Sequence, residues 1–143
     1  MKLAFTSIVV FAAAFTARAQ NTGACSSQPV QQDFEPFCRT LETNRISSLA
    51  HFRIAELFFL QNNYQSSANE FREVLNGDLN PKWTEVWAHI NLGKIFDITG
   101  QRERAVNEYR QAAQTNDNTF GALEEARKYL QKAYERPKER ASQ

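Results

Sequence analysis

Two histidines, His51 and His89, are the residues of this 143-residue chain whose type and placement come nearest to a metal site. They lie 38 residues apart in similar surroundings, so a repeating fold could bring their imidazoles together. A zinc site needs three or four ligands, however, and no His-x3-His, Cys-x2-Cys or acidic cluster supplies the others. We therefore expect packed or hydrogen-bonded histidines and predict no bound metal.

The two cysteines, Cys25 and Cys38, are the second candidate for chemistry. A redox-active pair usually has a Cys-x-x-Cys spacing and a thiolate of low pKa, and neither is visible in this sequence. In an oxidising compartment such a pair forms a structural bond instead. We predict a Cys25–Cys38 disulfide, which would stabilise the fold by about 3 kcal/mol through restriction of the unfolded chain.

No other residues form a catalytic pattern. The sequence has no glycine-rich phosphate loop, no serine nucleophile elbow and no dinucleotide fingerprint. The carboxylates of the carboxyl-terminal region alternate with lysines and arginines, which is typical of a solvated helix face; they are Glu124, Glu125, Glu135 and Glu139. The sequence predicts no catalytic residue and no cofactor, and a metal-dependent or redox enzyme is the least favoured hypothesis.

The amino terminus has the pattern of a secretory signal peptide. Lys2 precedes an apolar run over residues 3–17, and Ala17-Arg18-Ala19 forms a cleavage site. We predict a signal peptide at residues 1–19, cleaved after Ala19, and a periplasmic or secreted protein. The run is shorter than the roughly 20 residues of a membrane-spanning helix, so no permanent membrane span is expected. The alternatives are an uncleaved anchor and lipidation at Cys25, which lies well beyond the apolar run.

The charge balance excludes partners that are bound mainly by electrostatic attraction. The formal net charge is +1, and loss of Lys2 and Arg18 with the signal peptide changes it to about −1. Nucleic acid is therefore not an expected partner. The length fits one small domain.

The elements after the signal peptide are helical. Residues 20–45 read as a leader, flexible to about Asp33 and helical after Pro36. Crowded apolar residues from Ile46 predict a buried helix that Asn62-Asn63 ends, and further helices follow to about Tyr134. Asn80 and Pro81 are predicted to cap and begin the third of these helices. Gly100 is predicted to end that helix.

A repeat of 38 residues relates two of the predicted hairpins. Ala55-(x2)-Phe58-(x12)-Phe71 aligns with Gly93-(x2)-Phe96-(x12)-Tyr109, so small and aromatic residues recur at matching places. Small residues let the two helices of a hairpin approach, and the aromatic rings fill the space beside them. The recurrence indicates stacked helical hairpins.

The second copy resembles the tetratricopeptide repeat at its signature positions, which are His89, Leu92, Gly93, Phe96, Gly100, Ala105, Tyr109 and Ala112. The resemblance implies an all-α fold, a short right-handed α-solenoid of antiparallel helix hairpins. Its units are two repeats within residues 46–117, at about 48–81 and 86–117, a capping helix at 118–136 and a flexible tail at 137–143. Two repeats are a minimal array, so the leader, the cap or a partner must cover the remaining apolar surface.

The resemblance also implies a groove lined by the first helix of each repeat, in which a peptide or helix of a partner binds. The corresponding positions here are Leu49, Phe52, Arg53, Glu56, Phe59, Trp87, Ile90, Asn91, Lys94 and Asp97. Phe59 and Trp87 would be the energetic centre of such an interface. The alternative is that these aromatic residues belong to the core. A basic clamp for a partner's terminal carboxylate is not expected, because Phe52 and Glu56 stand at its positions.

The leading functional hypothesis is an exported adaptor or scaffold that mediates protein–protein interaction in the cell envelope. Its partner is another protein or peptide. The alternative is a structural component that self-associates into a homo-oligomer through the edges of the array.

Overall fold

The computed structural model describes residues 23–26 and 30–137. Within these residues it contains helices and no strand, which confirms the all-α class. The predicted signal peptide and residues 138–143 of the predicted tail lie outside the described residues. The helices are α1 (Glu35–Thr43), α2 (Ser48–Leu60), α3 (Tyr64–Asn76), α4 (Trp83–Ile98), α5 (Arg102–Gln114) and α6 (Ala122–Gln131), with a 3₁₀ turn at Thr119–Gly121.

Two helical hairpins, α2 with α3 and α4 with α5, form the centre of the fold. The main packing contacts follow chain order from α1 to α6, and the helices α2 and α4, and α4 and α6, also touch. This order of contacts is that of a helical solenoid. We call the side that carries α2, α4 and α6 the first-helix face.

Small residues at the crossing of each hairpin set the distance between its helices. A Cβ atom on Gly93 would lie 2.4 Å from Cε1 of Tyr109, whose ring is fully buried. In the first hairpin Ala55 takes the corresponding place, and the Ser67 hydroxyl donates a 2.8 Å hydrogen bond to its carbonyl. The sequence repeat therefore reflects close packing within each hairpin, as predicted.

The leader packs on α2 rather than remaining flexible to Asp33. Cys25 and Cys38 are at disulfide distance, with their Cα atoms 5.5 Å apart, as predicted. The ring of Phe34 lies 5.0 Å from that of Phe58, and Ala24 is buried in the same cluster. Because the cross-link ties this part of the leader to α1, the expectation of flexibility was wrong for the described leader residues.

The start of α4 differs from the prediction that Asn80 caps it. Helix α4 begins at Trp83, and the Asn80–Pro81 peptide bond is cis. The preceding turn is held to the start of α2, because the amide of Leu79 donates to the Ser48 hydroxyl at 2.8 Å. The Asp78 carboxylate accepts from the amides of Ser48 and Asn80. These contacts fix the turn, so the helix starts beyond it.

The last helix, Ala122–Gln131, is shorter than the capping helix predicted at residues 118–136. Phe120 and Gly121 have positive φ angles of 58° and 77°, so the regular helix starts only at Ala122. It ends at Gln131, and residues 132–137, which we call the C-terminal strap, run non-helically over the first-helix face. Among the described residues, no helix combines the length and apolar character needed to cross a membrane.

Candidate functional site

A pocket of about 360 Å³ opens on the first-helix face where α1, α2 and α4 meet. We call it the α2 pocket, because most of its lining comes from that helix. Its walls are mainly apolar, with three polar side chains among them. The lining residues are Phe37, Arg53, Glu56, Leu57, Phe59, Leu60, Phe71 and Asn91.

The spacing of residues on α2 explains why one helix supplies so much of the lining. Arg53, Glu56, Leu57 and Leu60 follow steps of three and four residues, which place side chains on one side of a helix. Leu60, at the end of α2, is 68% exposed. Phe37 of α1 lines the pocket from the leader side.

The polar groups of the α2 pocket differ in what they already bind. Arg53 donates a 2.7 Å hydrogen bond to Glu56 and its guanidinium lies 5.8 Å from the ring of Trp83. The side-chain amide of Asn91 has no hydrogen-bond partner in the part of the chain that the structure describes. An amide can both donate and accept, so Asn91 can bind a peptide group of a ligand whose apolar side chain fills the pocket.

Only part of the predicted groove is brought together. Arg53, Glu56, Phe59 and Asn91 line the α2 pocket, and Leu49 lies outside it at 38% exposure. Whether these residues bind a partner stays a prediction. The remaining five predicted residues have other surroundings. Phe52 and Ile90 are 3% and 0% exposed and belong to the core, which is the alternative that the sequence left open.

Trp87 and Lys94 are engaged with the last helix. The Trp87 indole N–H donates a 3.0 Å hydrogen bond to the carbonyl of Thr119. Lys94 Nζ lies 3.1 Å from Glu125 and within 5.3 Å of the centroids of the Tyr129 and Tyr134 rings. Burial raises the pKa of Glu125, but the bond and charge of Lys94, the Tyr129 hydrogen bond and the charge of Lys128 together hold that pKa below its usual value. Lys94 therefore fastens α6 to α4, and Trp87 fastens the 3₁₀ turn that precedes α6.

Asp97 carries a buried carboxylate that joins several elements. Its side chain is 0% exposed, and Arg102 reaches both of its oxygens, at 3.0 and 3.1 Å. The Tyr109 hydroxyl donates to it at 2.9 Å and the Tyr134 amide at 2.7 Å. Burial and the neighbouring carboxylate raise the pKa of Tyr109, so this hydroxyl stays protonated as a donor. The fully bonded Asp97 holds structure together and is not open to a ligand.

The two histidines occupy equivalent sites in the two hairpins, and each bonds a glutamate. His51 Nδ1 lies 2.8 Å from Glu70, and His89 Nδ1 lies 2.8 Å from Glu108. In each case the glutamate follows the histidine by 19 residues. The described residues contain no group of three or more side chains suited to a metal ion. Both histidines are thus hydrogen-bonded, as predicted.

The surroundings of His51 favour its charged form. Its second ring nitrogen, Nε2, lies 3.1 Å from the carbonyl of Arg45, so both nitrogens face acceptors. Burial lowers the pKa of His51, but the bond and charge of Glu70, the Arg45 carbonyl and the charge of Glu73 outweigh burial. The pKa is therefore raised above its usual value of 6.5.

Sequence reasoning missed four apolar residues that line the α2 pocket, Phe37, Leu57, Leu60 and Phe71. The crowding of large residues on α2 was a signal, since more of them are present than one buried face can cover. Phe37 could not be assigned, because its position depends on how α1 docks. Trp83 was also missed, although its ring lies 5.1 Å from Phe52 and 5.9 Å from Phe120.

Stacked helical hairpins of this kind define a helical-repeat protein. A family model of the tetratricopeptide repeat matches residues 88–119, which contain most of α4 and all of α5. Residues 88–119 are therefore similar to a tetratricopeptide repeat. Such repeats typically serve as non-catalytic scaffolds for protein interaction. A search of curated proteins and a search of solved structures found no match.

Proposed function

We propose that this chain is an exported adaptor of the cell envelope, which binds a segment of a partner protein in the α2 pocket. The tetratricopeptide repeat supports a protein partner. The signal-peptide pattern of residues 1–19 supports export to the periplasm or the exterior. The Cys25–Cys38 pair suits an oxidising compartment.

The α2 pocket is the observation that carries this proposal. Its volume of about 360 Å³ is at the lower end of the range for ligand clefts, roughly 300–1,000 Å³. Such a space suits one or two apolar side chains rather than a whole helix. Leu57, Phe59 and Phe37 would bury those side chains. Asn91 would bind the partner's main chain, and the Arg53–Glu56 pair would select the charge of neighbouring residues.

The arrangement of helices favours the adaptor over end-to-end stacking of copies. Helix α1 covers α2 at one end of the array, and α6 covers α5 at the other. The outward side of α6 carries Glu124, Arg127 and Lys128, all exposed. A polar outer side of this kind terminates a solenoid and does not extend it.

Leu60→Glu tests the α2 pocket with little risk to the fold, because Leu60 is 68% exposed. A charge at this wall should weaken partner binding by tenfold or more, since an apolar side chain would have to displace a solvated carboxylate. The matched control is Ile46→Glu, the same change at an apolar residue that is 59% exposed and does not line the pocket. Circular dichroism and thermal melting should show all three chains equally folded.

The measurement is capture from native envelope extract by the three chains, followed by photo-crosslinking from position 60 to locate the bound segment of the partner. Retention by wild type and Ile46→Glu, with loss by Leu60→Glu, supports the proposal. Equal retention by all three chains would reject the α2 pocket as the docking site. Sedimentation of the captured and free chains would show whether the partner is a second copy.

A further inference from the structure

An arginine from the far end of the chain lies on two aromatic rings at the end of α2. Phe59 and Tyr64 pack edge to face with their centroids 5.7 Å apart. The Arg136 guanidinium lies 5.3 Å from the centroid of Phe59 and 5.9 Å from that of Tyr64. These distances fall within the range of cation–π attraction.

The same guanidinium donates hydrogen bonds to oxygens around the end of α2. Nη1 donates to the Phe59 carbonyl at 3.2 Å, to the Tyr64 hydroxyl at 2.8 Å and to the Asn62 side-chain oxygen. Nη2 donates to the Leu60 carbonyl at 3.4 Å. The carboxyl end of a helix is the negative end of its dipole, so a cation is favoured here. We call the rings of Phe59 and Tyr64, together with these acceptor oxygens, the guanidinium site.

The C-terminal strap that carries Arg136 is bound at a second point. Two residues earlier, the Tyr134 amide donates its 2.7 Å hydrogen bond to Asp97. The Tyr134 ring packs 5.3 Å from that of Tyr129. Proteins recognise an extended peptide through a hydrogen bond to its main chain at one residue and a site for the side chain two residues further on. The strap is therefore bound as a peptide ligand would be.

The guanidinium site and the α2 pocket share residues. Phe59 and Leu60 line the pocket, while the ring of Phe59 and the carbonyls of both residues hold Arg136. A partner segment that fills the pocket and continues along the first-helix face in this direction meets the strap. The two cannot occupy the guanidinium site together.

We propose that the C-terminal strap is an internal occupant of an extended-peptide site, and that the partner segment which replaces it carries an arginine for the guanidinium site. The identity of the replacing segment rests on the proposed function, whereas the occupancy by the strap does not. An attached segment competes at an effective concentration of the order of millimolar, so the strap sets a threshold of affinity for incoming segments.

The test uses a fluorescent synthetic peptide of residues 132–143 as the probe and the full-length chain as the receptor. Wild type should bind the peptide weakly, because its own strap fills the site. Arg136→Ala should bind it at least about tenfold more tightly, and Tyr134→Ala/Arg136→Ala at least as tightly, since their straps lack anchors. Fluorescence anisotropy gives the affinities. The Tyr134 amide should also exchange hydrogen faster in Arg136→Ala than in wild type.

Two controls isolate the guanidinium site. A peptide with alanine in place of Arg136 should not bind any receptor. Arg104→Ala is the matched receptor variant, because Arg104 lies 4.0 Å from the ring centroid of Phe96 but outside the strap. This variant should bind the intact peptide as weakly as wild type does.

Equal binding of the intact peptide by wild type and both strap variants would overturn the proposal. No binding to the strap variants, or equal binding of the peptide without arginine, would do the same. These outcomes leave the Leu60→Glu test untouched, because that test concerns the α2 pocket and an external partner. A failure of the strap proposal is thereby distinguished from a failure of the adaptor proposal.

Discussion

The two hairpins have the same helix spacing but opposite chemistry at the carboxyl ends of their first helices. The second hairpin has Asp97 and Arg102 there, an ion pair with a buried carboxylate and N–O distances near 3 Å. The residues 38 positions earlier are Phe59 and Tyr64, two aromatic rings in contact. The second hairpin supplies both charges of its pair, and the first accepts a cation from elsewhere in the chain.

Because of this difference, different parts of the chain bind at the carboxyl end of each first helix. Arg102 also donates to the carbonyls of Tyr129 and Leu130, so the second hairpin is closed onto α6. The equivalent position in the first hairpin, Tyr64, has no charge to offer, and Arg136 of the strap supplies it. Repetition of the helix spacing thus preserves the packing, while the different residues at two positions replace an ion pair with two rings that hold Arg136.

The histidine–glutamate pair is shared by both hairpins but is buried to different extents. The side chains of His51 and Glu70 are 7% and 5% exposed, against 16% and 24% for His89 and Glu108. Glu70→Ala should lower the free energy of unfolding by about 3–5 kcal/mol, because it leaves a buried charge without its partner. Glu108→Ala should cost only about 1 kcal/mol. Urea denaturation at pH 6 measures both, and equal losses would contradict the role of burial.

Loss of Arg102 should destabilise the fold more than loss of Arg136. Arg102→Ala should lower the free energy of unfolding by about 2–3 kcal/mol, since the buried Asp97 loses its charged partner. Arg136→Ala should lower it by less than about 1 kcal/mol, because its partners include solvent-accessible groups that water can satisfy. Thermal melting of the two variants checks the order. A larger loss for Arg136→Ala would mean that the strap is part of the core.

The crossing point of each hairpin can be tested by exchanging its small residue. Gly93→Ala should cost about 1–3 kcal/mol, because the added methyl group would overlap the buried Tyr109 ring. Ala55→Gly should cost about 1 kcal/mol through greater freedom of the unfolded chain. Chemical denaturation gives both values. A neutral Gly93→Ala would show that the Tyr109 ring can move.

The charge on His51 makes the stability of the first hairpin depend on pH. Because the folded-state pKa is raised above 6.5, the contribution of the protonated histidine is fully present below that pH. It is lost as the pH rises through the raised pKa. The difference in unfolding free energy between wild type and His51→Gln should therefore shrink with rising pH. Denaturation curves between pH 5 and 9 measure it, and a constant difference would exclude a charged His51.

Much of this fold is readable from the sequence, because the helix positions follow from the apolar period and the 38-residue step. Predictions from the local sequence were wrong where contacts with distant residues determine the local structure. Asn80 and Pro81 have the composition of a helix start, but Ser48 holds the turn before them from 31 residues away. Likewise α6 ends early, with the strap after it bonded to Asp97, a contact that spans 37 residues.

The candidate site was predictable only in part for a related reason. The family pattern gives helix faces and therefore found four lining residues of the α2 pocket. It does not say which positions are covered, and Trp87 and Lys94 turned out to hold α6. The glutamates 19 residues after each histidine were visible in the sequence, and applying the 38-residue step to charged residues would have found both pairs.

The cross-link of the leader has a consequence for when the α2 pocket can form. Phe37, which lines the pocket, lies next to Cys38 on α1, and Cys38 is bonded to Cys25. Oxidation of two thiols that are 13 residues apart therefore helps to position Phe37, one wall of the α2 pocket. If the adaptor is exported, its binding competence would mature with the redox state of the compartment it enters, so a copy still in reducing surroundings would engage partners less well. Capture with and without a thiol reductant would show this as weaker retention by the reduced chain.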